Sequence, residues 1–195
     1  ISLIGDIQER IRLIDSKGYE YKAKLTILKE AARTLNYLTE NNLLQYADLE
    51  KKVEDVHSSY DRTGKELKGV EARLREVQPL IKNISNYQRL KPVYDAFQKA
   101  EDKPGFKAKH EAELVIFEAA RSTLLAMQGD EKLPSLKTLQ AEQAQLFEEQ
   151  ERLYAERNRF KKEAKQIETI KSNVDTFLSP SADHDRDHRR STQRE

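Results

Sequence analysis

The chain of 195 residues holds 35 Lys or Arg against 34 Asp or Glu, a formal charge of +1, with 35% charged and 37% apolar residues. An average soluble domain is nearer one quarter charged and ~45–50% apolar, so a broad two-sided α/β core is disfavoured, whereas long helices that each bury a narrow stripe fit. The absence of cysteine excludes disulfides, thiolate nucleophiles and thiolate metal sites. No stretch approaches ~18 uncharged apolar residues, which leads us to expect a cytoplasmic protein without membrane contact. The chain starts at Ile1 with no signal-peptide pattern, as expected of a piece of something longer.

Taken in order, Leu3, Ile4, Ile7, Ile11 and Ile14 predict an amphipathic helix over 3–15, ending near Ser16-Lys17-Gly18. A second helix is expected over about 20–40, with Leu25, Leu28, Ala32, Leu35 and Leu38 on its buried face. Asn41-Asn42 should end it, since Asn tolerates the left-handed conformation. Asp48 is a candidate cap for the third helix. From there Leu49, Val53, Val56, Tyr60, Thr63, Leu67, Val70, Leu74, Val77, Ile81 and Ile84 alternate steps of four and three for five repeats. That is a heptad seam. Gly64 and Gly69 lie off it, and Pro79 is expected to kink the helix by crowding Arg75. The phase then shifts to Ile84, Tyr87, Leu90, Tyr94 and Phe97, in a helix 80–101 that Pro92 could bend again.

Asp102-Lys103-Pro104-Gly105 reads as a turn before a helix at about 107–127, built on Leu114, Phe117, Ala120, Leu124 and Met127 and ended by Gly129-Asp130. Ser135 is a good N-cap for the last helix, 135–178, in which Leu139, Leu146, Leu153, Phe160, Ile167 and Val174 recur every seven residues. From Ser179 the sequence is polar and aperiodic, which predicts a disordered tail over 179–195. The expected fold is all-α over 1–178: an elongated antiparallel coiled coil of the two long helices, with a small helical cluster at each end. A parallel self-paired zipper is the competitor. It would bury Gln143, Gln150, Arg157 and Lys171 against themselves, charge on charge, and loses for that reason.

Several short segments resemble the helical C-terminal region of the relaxase (mobilisation nuclease) proteins of Gram-positive conjugative and mobilisable elements. They are Ala32-x-Thr34-Leu35-x-Tyr37-Leu38-x-Glu40-Asn41 with Tyr46-x-x-Leu49, then Ile84-x-Asn86-Tyr87 with Val93-Tyr94. Lys132-Leu133-Pro134-Ser135-Leu136-Lys137-x-Leu139-Gln140-Ala141-Glu142 and Asn173-Val174-Asp175 complete the set. The likeness runs from about 20 to 178. It implies an accessory domain in conjugative DNA transfer, contacting DNA or docking to other relaxosome or coupling proteins. The family's nuclease pattern of clustered histidines near an N-terminal tyrosine is missing, so the resemblance implies a non-catalytic fragment without metal or cofactor. A generic coiled-coil scaffold without DNA contact is the alternative.

His184 and His188, four apart among Asp183, Asp185 and Asp187, could clamp a metal on a helix, but a polar tail would have to be ordered to do so. A solvated tail is the simpler reading. Tyr19 and Tyr21 have no neighbour that would activate them as nucleophiles. Charge is more informative. Residues 82–109 hold Lys82, Arg89, Lys91, Lys99, Lys103, Lys107 and Lys109 against Asp95, Glu101 and Asp102, a net +4, while 111–134 carry −3. Tyr87, Tyr94, Phe97 and Phe106 are interleaved with these cations. Such an elbow could hold single-stranded DNA weakly through phosphates and stacking; alternatively the aromatics are core and the lysines merely solvated.

Overall fold

The computed structural model describes residues 2–16, 21–128 and 134–179. Tyr19, Gly129, Asp130 and the tail from 180 onward, with His184 and His188, lie outside the described residues, as do the side chains of Ile14 and Tyr21. Among the described residues the chain is all-α, in five helices: α1 (Leu3–Ser16), α2 (Tyr21–Glu40), α3 (Tyr46–Lys99), α4 (Lys103–Gln128) and α5 (Leu136–Leu178). It divides into two compact units, one of residues 1–61 with 158–195 and one of residues 62–157.

Each unit is an antiparallel pairing of α3 with α5 to which other helices are added. In the first unit, Tyr46 meets Asp175, Lys52 meets Glu163 at 2.8 Å, and α1 and α2 pack on the pair. Leu3, Ile7, Ala31, Leu38, Leu49, Ile167 and Val174 form its core. Ser2 accepts from Gly5 N at 3.2 Å to cap α1. Leu3 N in turn donates to Leu44 O at 2.9 Å, fastening the helix start to the α2–α3 connection. In the second unit Leu67, Val70 and Leu74 close on Leu153, and Val77 and Ile84 on Leu124 and Leu139, so that α4 joins the pair.

Every position of the heptad seam in α3 is buried or half-buried, from Leu49 to Ile84. Two polar seam positions of α5 find room within the chain. Lys171 reaches Tyr46, and Arg157 lies over Gly64, where an added Cβ would come within 3.3 Å of Nε. The glycine makes room for the arginine.

Four expectations need correction. First, the helix expected over 80–101 is not separate: α3 runs through both Pro79 and Pro92. Each proline lies on the exposed face, and its penalty of ~3 kcal/mol is set against the burial of Val77, Leu80, Ile81, Ile84 and Leu90 on the other side. Second, α4 starts at Lys103, not near 107. Asp102 caps it by accepting from Gly105 N at 3.0 Å, with Pro104 in the first turn where no amide donor is required. The interruption falls instead at His110 (φ −122°, ψ 23°).

Third, the buried stripe of α2 is Ile27, Ala31, Thr34 and Leu38, with Leu35 and Tyr37 beside it, while Leu25 and Ala32 are exposed. The sequence hides this because Thr34 is polar yet fully buried. Its hydroxyl donates to Glu30 O at 2.8 Å and accepts from Asn173 Nδ2 at 3.1 Å. Fourth, Asp48 caps α3 from inside the first turn, accepting from Gln45 N at 3.0 Å, the returning half of a capping box.

The other two ends are as expected. Asn42 adopts φ 53°, and Leu43 N donates to Leu38 O at 2.8 Å, closing α2 in the six-to-one pattern with Leu43 buried beside Leu38. Ser135 Oγ accepts from Thr138 N at 3.1 Å to start α5.

Leu74→Asp should destabilise the chain by about 4 kcal/mol, since it deletes a buried leucine and leaves a carboxylate unpaired against Leu153. Urea unfolding followed by circular dichroism measures this. A change below about 1 kcal/mol would mean that Leu74 does not face α5.

Candidate nucleic-acid interface

The aromatic residues expected in a DNA-stacking elbow form one continuous ladder instead. Tyr87 stacks on Phe117 at 5.0 Å, Phe117 on Tyr94 at 4.4 Å, and Tyr94 leans on Phe97 at 6.5 Å. Phe97 then meets Phe106 at 6.2 Å, and Phe106 stacks on His110 at 4.5 Å. The ladder joins the last turns of α3 to α4. His110, at the interruption of α4, ends the ladder: one ring face covers Phe106 and Nδ1 meets Glu113. The chain turns at His110 where its ring completes the ladder. Periodicity could place Phe117 on the buried face of its helix, but not reveal that it separates Tyr87 from Tyr94.

The seven expected cations, Lys82, Arg89, Lys91, Lys99, Lys103, Lys107 and Lys109, are all exposed. They are not equivalent. Lys91 is held by Asp95 at 2.9 Å, and that hydrogen bond raises its pKa. Arg89 donates to Asn86 at 3.4 Å. Lys82 and Arg89, seven apart, share one stripe of α3, whereas Lys91 points almost oppositely. Lys103 and Lys107, four apart, share a face of α4 before the interruption at His110. Thus the aromatics that would stack on bases stack on one another, and the charges that would hold phosphates remain in water.

The polar cluster best formed in the structure was not singled out by sequence. Tyr46 Oη donates to Asp175 Oδ1 at 2.6 Å, and Lys171 Nζ donates to Tyr46 Oη at 2.8 Å and Asp175 Oδ2 at 3.0 Å. The Tyr46 hydrogen bond, reinforced by Lys171, lowers the Asp175 pKa, while the two acceptors raise that of Lys171 well above the lysine range. The three hydrogen bonds tie Tyr46 on α3 to Lys171 and Asp175 on α5. Beside it, Arg10 Nε donates to Phe177 O at 3.1 Å and Nη2 to Ser179 O. This supplies the end of α5 with the cation its own last turn lacks. Among the described residues no three metal-ligating side chains come together, and no helix is long and apolar enough to cross a membrane.

Comparisons with family models, with curated proteins and with solved structures return no match.

Because the folded pKa of Asp175 is depressed, its contribution to stability is present above the unfolded value of 3.8 and lost as pH falls through the folded one. Asp175→Asn should therefore melt below the unsubstituted protein at pH 7. The gap should close as pH falls below about 4, where the unsubstituted carboxyl becomes neutral as well. Thermal melts across pH 2–7 measure this, and a pH-independent gap would remove Asp175 from the acid response.

Proposed function

We propose that the chain is a non-catalytic accessory domain of a relaxase, serving conjugative DNA processing by weak contact with single-stranded DNA and by docking to other proteins of the transfer complex. One observation carries the reading. Two segments of the relaxase resemblance that lie far apart in sequence interlock in the fold: Thr34 pairs with Asn173, and Tyr46 with Asp175. Tyr37, Leu38, Leu49 and Val174 from the same segments are buried in that core. The resemblance thus falls on residues that act together, as expected for a shared module rather than a chance likeness of helix-rich sequence. The exposed cations of α3 and α4 supply the means of holding phosphates.

A second reading, a docking scaffold with no DNA contact, is favoured by the outer face of α4. Val115 (56% exposed), Ile116, Leu125 (61%) and Met127 are open to solvent there. Charge attraction is not needed for a partner on such a face.

Fluorescence anisotropy with labelled single-stranded oligonucleotides of two unrelated sequences separates the readings. The DNA reading expects micromolar or weaker binding at physiological salt, equal for both sequences, because phosphate contacts carry no base information. Absence of binding at low salt would leave the docking scaffold. Supercoiled plasmid incubated with the chain and Mg²⁺ or Mn²⁺ should remain unnicked; cleavage lost on replacing a single tyrosine would overturn the non-catalytic assignment.

A further inference from the structure

Residues 62–99 of α3 carry nine Lys or Arg and four acids, and every one of those acids is already engaged. Glu66 faces Arg62 at 4.0 Å, Glu76 pairs with Arg73 at 3.0 Å, and Asp95 with Lys91 at 2.9 Å. Glu71 accepts from Tyr154 Oη at 2.6 Å. The surplus cations are not scattered. Lys68, Arg75, Lys82 and Arg89 recur every seven residues, on the flank of α3 away from the apolar seam, and all four are exposed.

Lys68 and Lys82 make no ion pair or hydrogen bond with a described residue. Arg75 has only Glu71 at 4.0 Å, with its own side chain 78% exposed. By contrast, Lys52, Arg73, Arg152 and Lys171 on the same two long helices are committed to acids. The neighbours one turn away along the stripe are mostly uncharged: Ala72, Gln78, Pro79, Ser85 and Asn86, with Lys65 adding charge and Glu71 the acid. Arg75 and Lys82 also share a shallow dent with Gln78, Pro79 and Asn83. Arg75 and Arg89 meet only Glu71 at 4.0 Å and Asn86 at 3.4 Å among the described residues, through exposed side chains, and α3 is unbroken between the first cation and the last.

We propose that Lys68, Arg75, Lys82 and Arg89 form a linear phosphate-binding track for a single strand of nucleic acid, and that Lys91, Lys99, Lys103, Lys107 and Lys109 lie outside it. This rests on the nucleic-acid reading above and narrows it to one helix face. At 1.5 Å rise per residue the four cations stand about 10.5 Å apart over roughly 32 Å. A row of that length on one helix suits a flexible strand, which can follow it, better than a duplex, whose backbone winds away around its own axis. With the aromatic ladder occupied internally, attraction is purely electrostatic, so the track has no base preference.

The test is fluorescence anisotropy of the full chain against a labelled 20-mer of thymidine and a duplex of the same length, at 50, 100 and 200 mM salt. Four phosphate contacts give a slope near −3 in log affinity against log salt on a single strand, about a 60-fold weakening over that range. The quadruple variant K68Q/R75Q/K82Q/R89Q should flatten the slope to near zero with unchanged helical circular dichroism. The control K99Q/K103Q/K107Q/K109Q should keep it, and the duplex should bind more weakly than the single strand. Loss of the slope in the control, equal losses in both variants, or tighter binding of the duplex would overturn the track while leaving the DNA reading intact. Failure of the unsubstituted chain to bind either probe at 50 mM salt would remove both.

Discussion

The pairing of α3 with α5 along one narrow apolar seam is the constraint on which the rest depends. With barely more than a third of its residues apolar, the chain cannot surround a helix with hydrophobic neighbours. It concentrates burial in positions that alternate by three and four, leaving most of each long helix in water. The remaining helices gain their stability by docking where the pair offers extra apolar surface: α1 and α2 on Ile167, Ile170, Val174 and Phe177 in one unit, α4 on Val77 and Ile84 in the other.

A seam of similar aliphatic side chains fixes pairing better than register, and the register is set by polar groups that would be costly if displaced. Thr34 is fully buried, and its hydroxyl, which donates to Glu30 O within α2, accepts from Asn173 Nδ2 in this register. Tyr46 needs Asp175 and Lys171. Arg157 fits because the residue facing it is Gly64. Moving α5 by one heptad would leave the Thr34 and Tyr46 partners behind, and the loss of satisfied polar contacts would exceed any difference in leucine packing. Arg10 adds a check at the helix end, since its two carbonyl acceptors exist only where α5 terminates.

The same economy shapes the surface. Aromatic rings near the α3–α4 turn are taken up in holding α4, leaving no stack of free rings for bases. Cations that the folded pair does not need stay unneutralised on α3, and apolar side chains that neither core needs stay open on α4. The molecule presents a charged face and an apolar face on different helices. The DNA and docking readings each use one of them.

Much of this was legible beforehand. The all-α class, the heptad seam of α3 and the caps at Ser135 and Asn42 follow from periodicity and local capping chemistry, which depend on residues within a turn or two of each other. What the sequence could not decide were outcomes set by residues far away. Pro79 ought to break a helix on local grounds, but packing on both sides of it holds α3 continuous. Thr34 reads as a surface residue until Asn173 arrives from α5. Tyr87, Tyr94 and Phe106 read equally as a stacking platform or as core until Phe117 and His110 are seen between and beside them. Local propensity is worth about a kilocalorie per residue, while desolvation and packing of a buried group are worth several. The second kind of energy depends on partners that chain order does not name, and tertiary structure alone decided those positions.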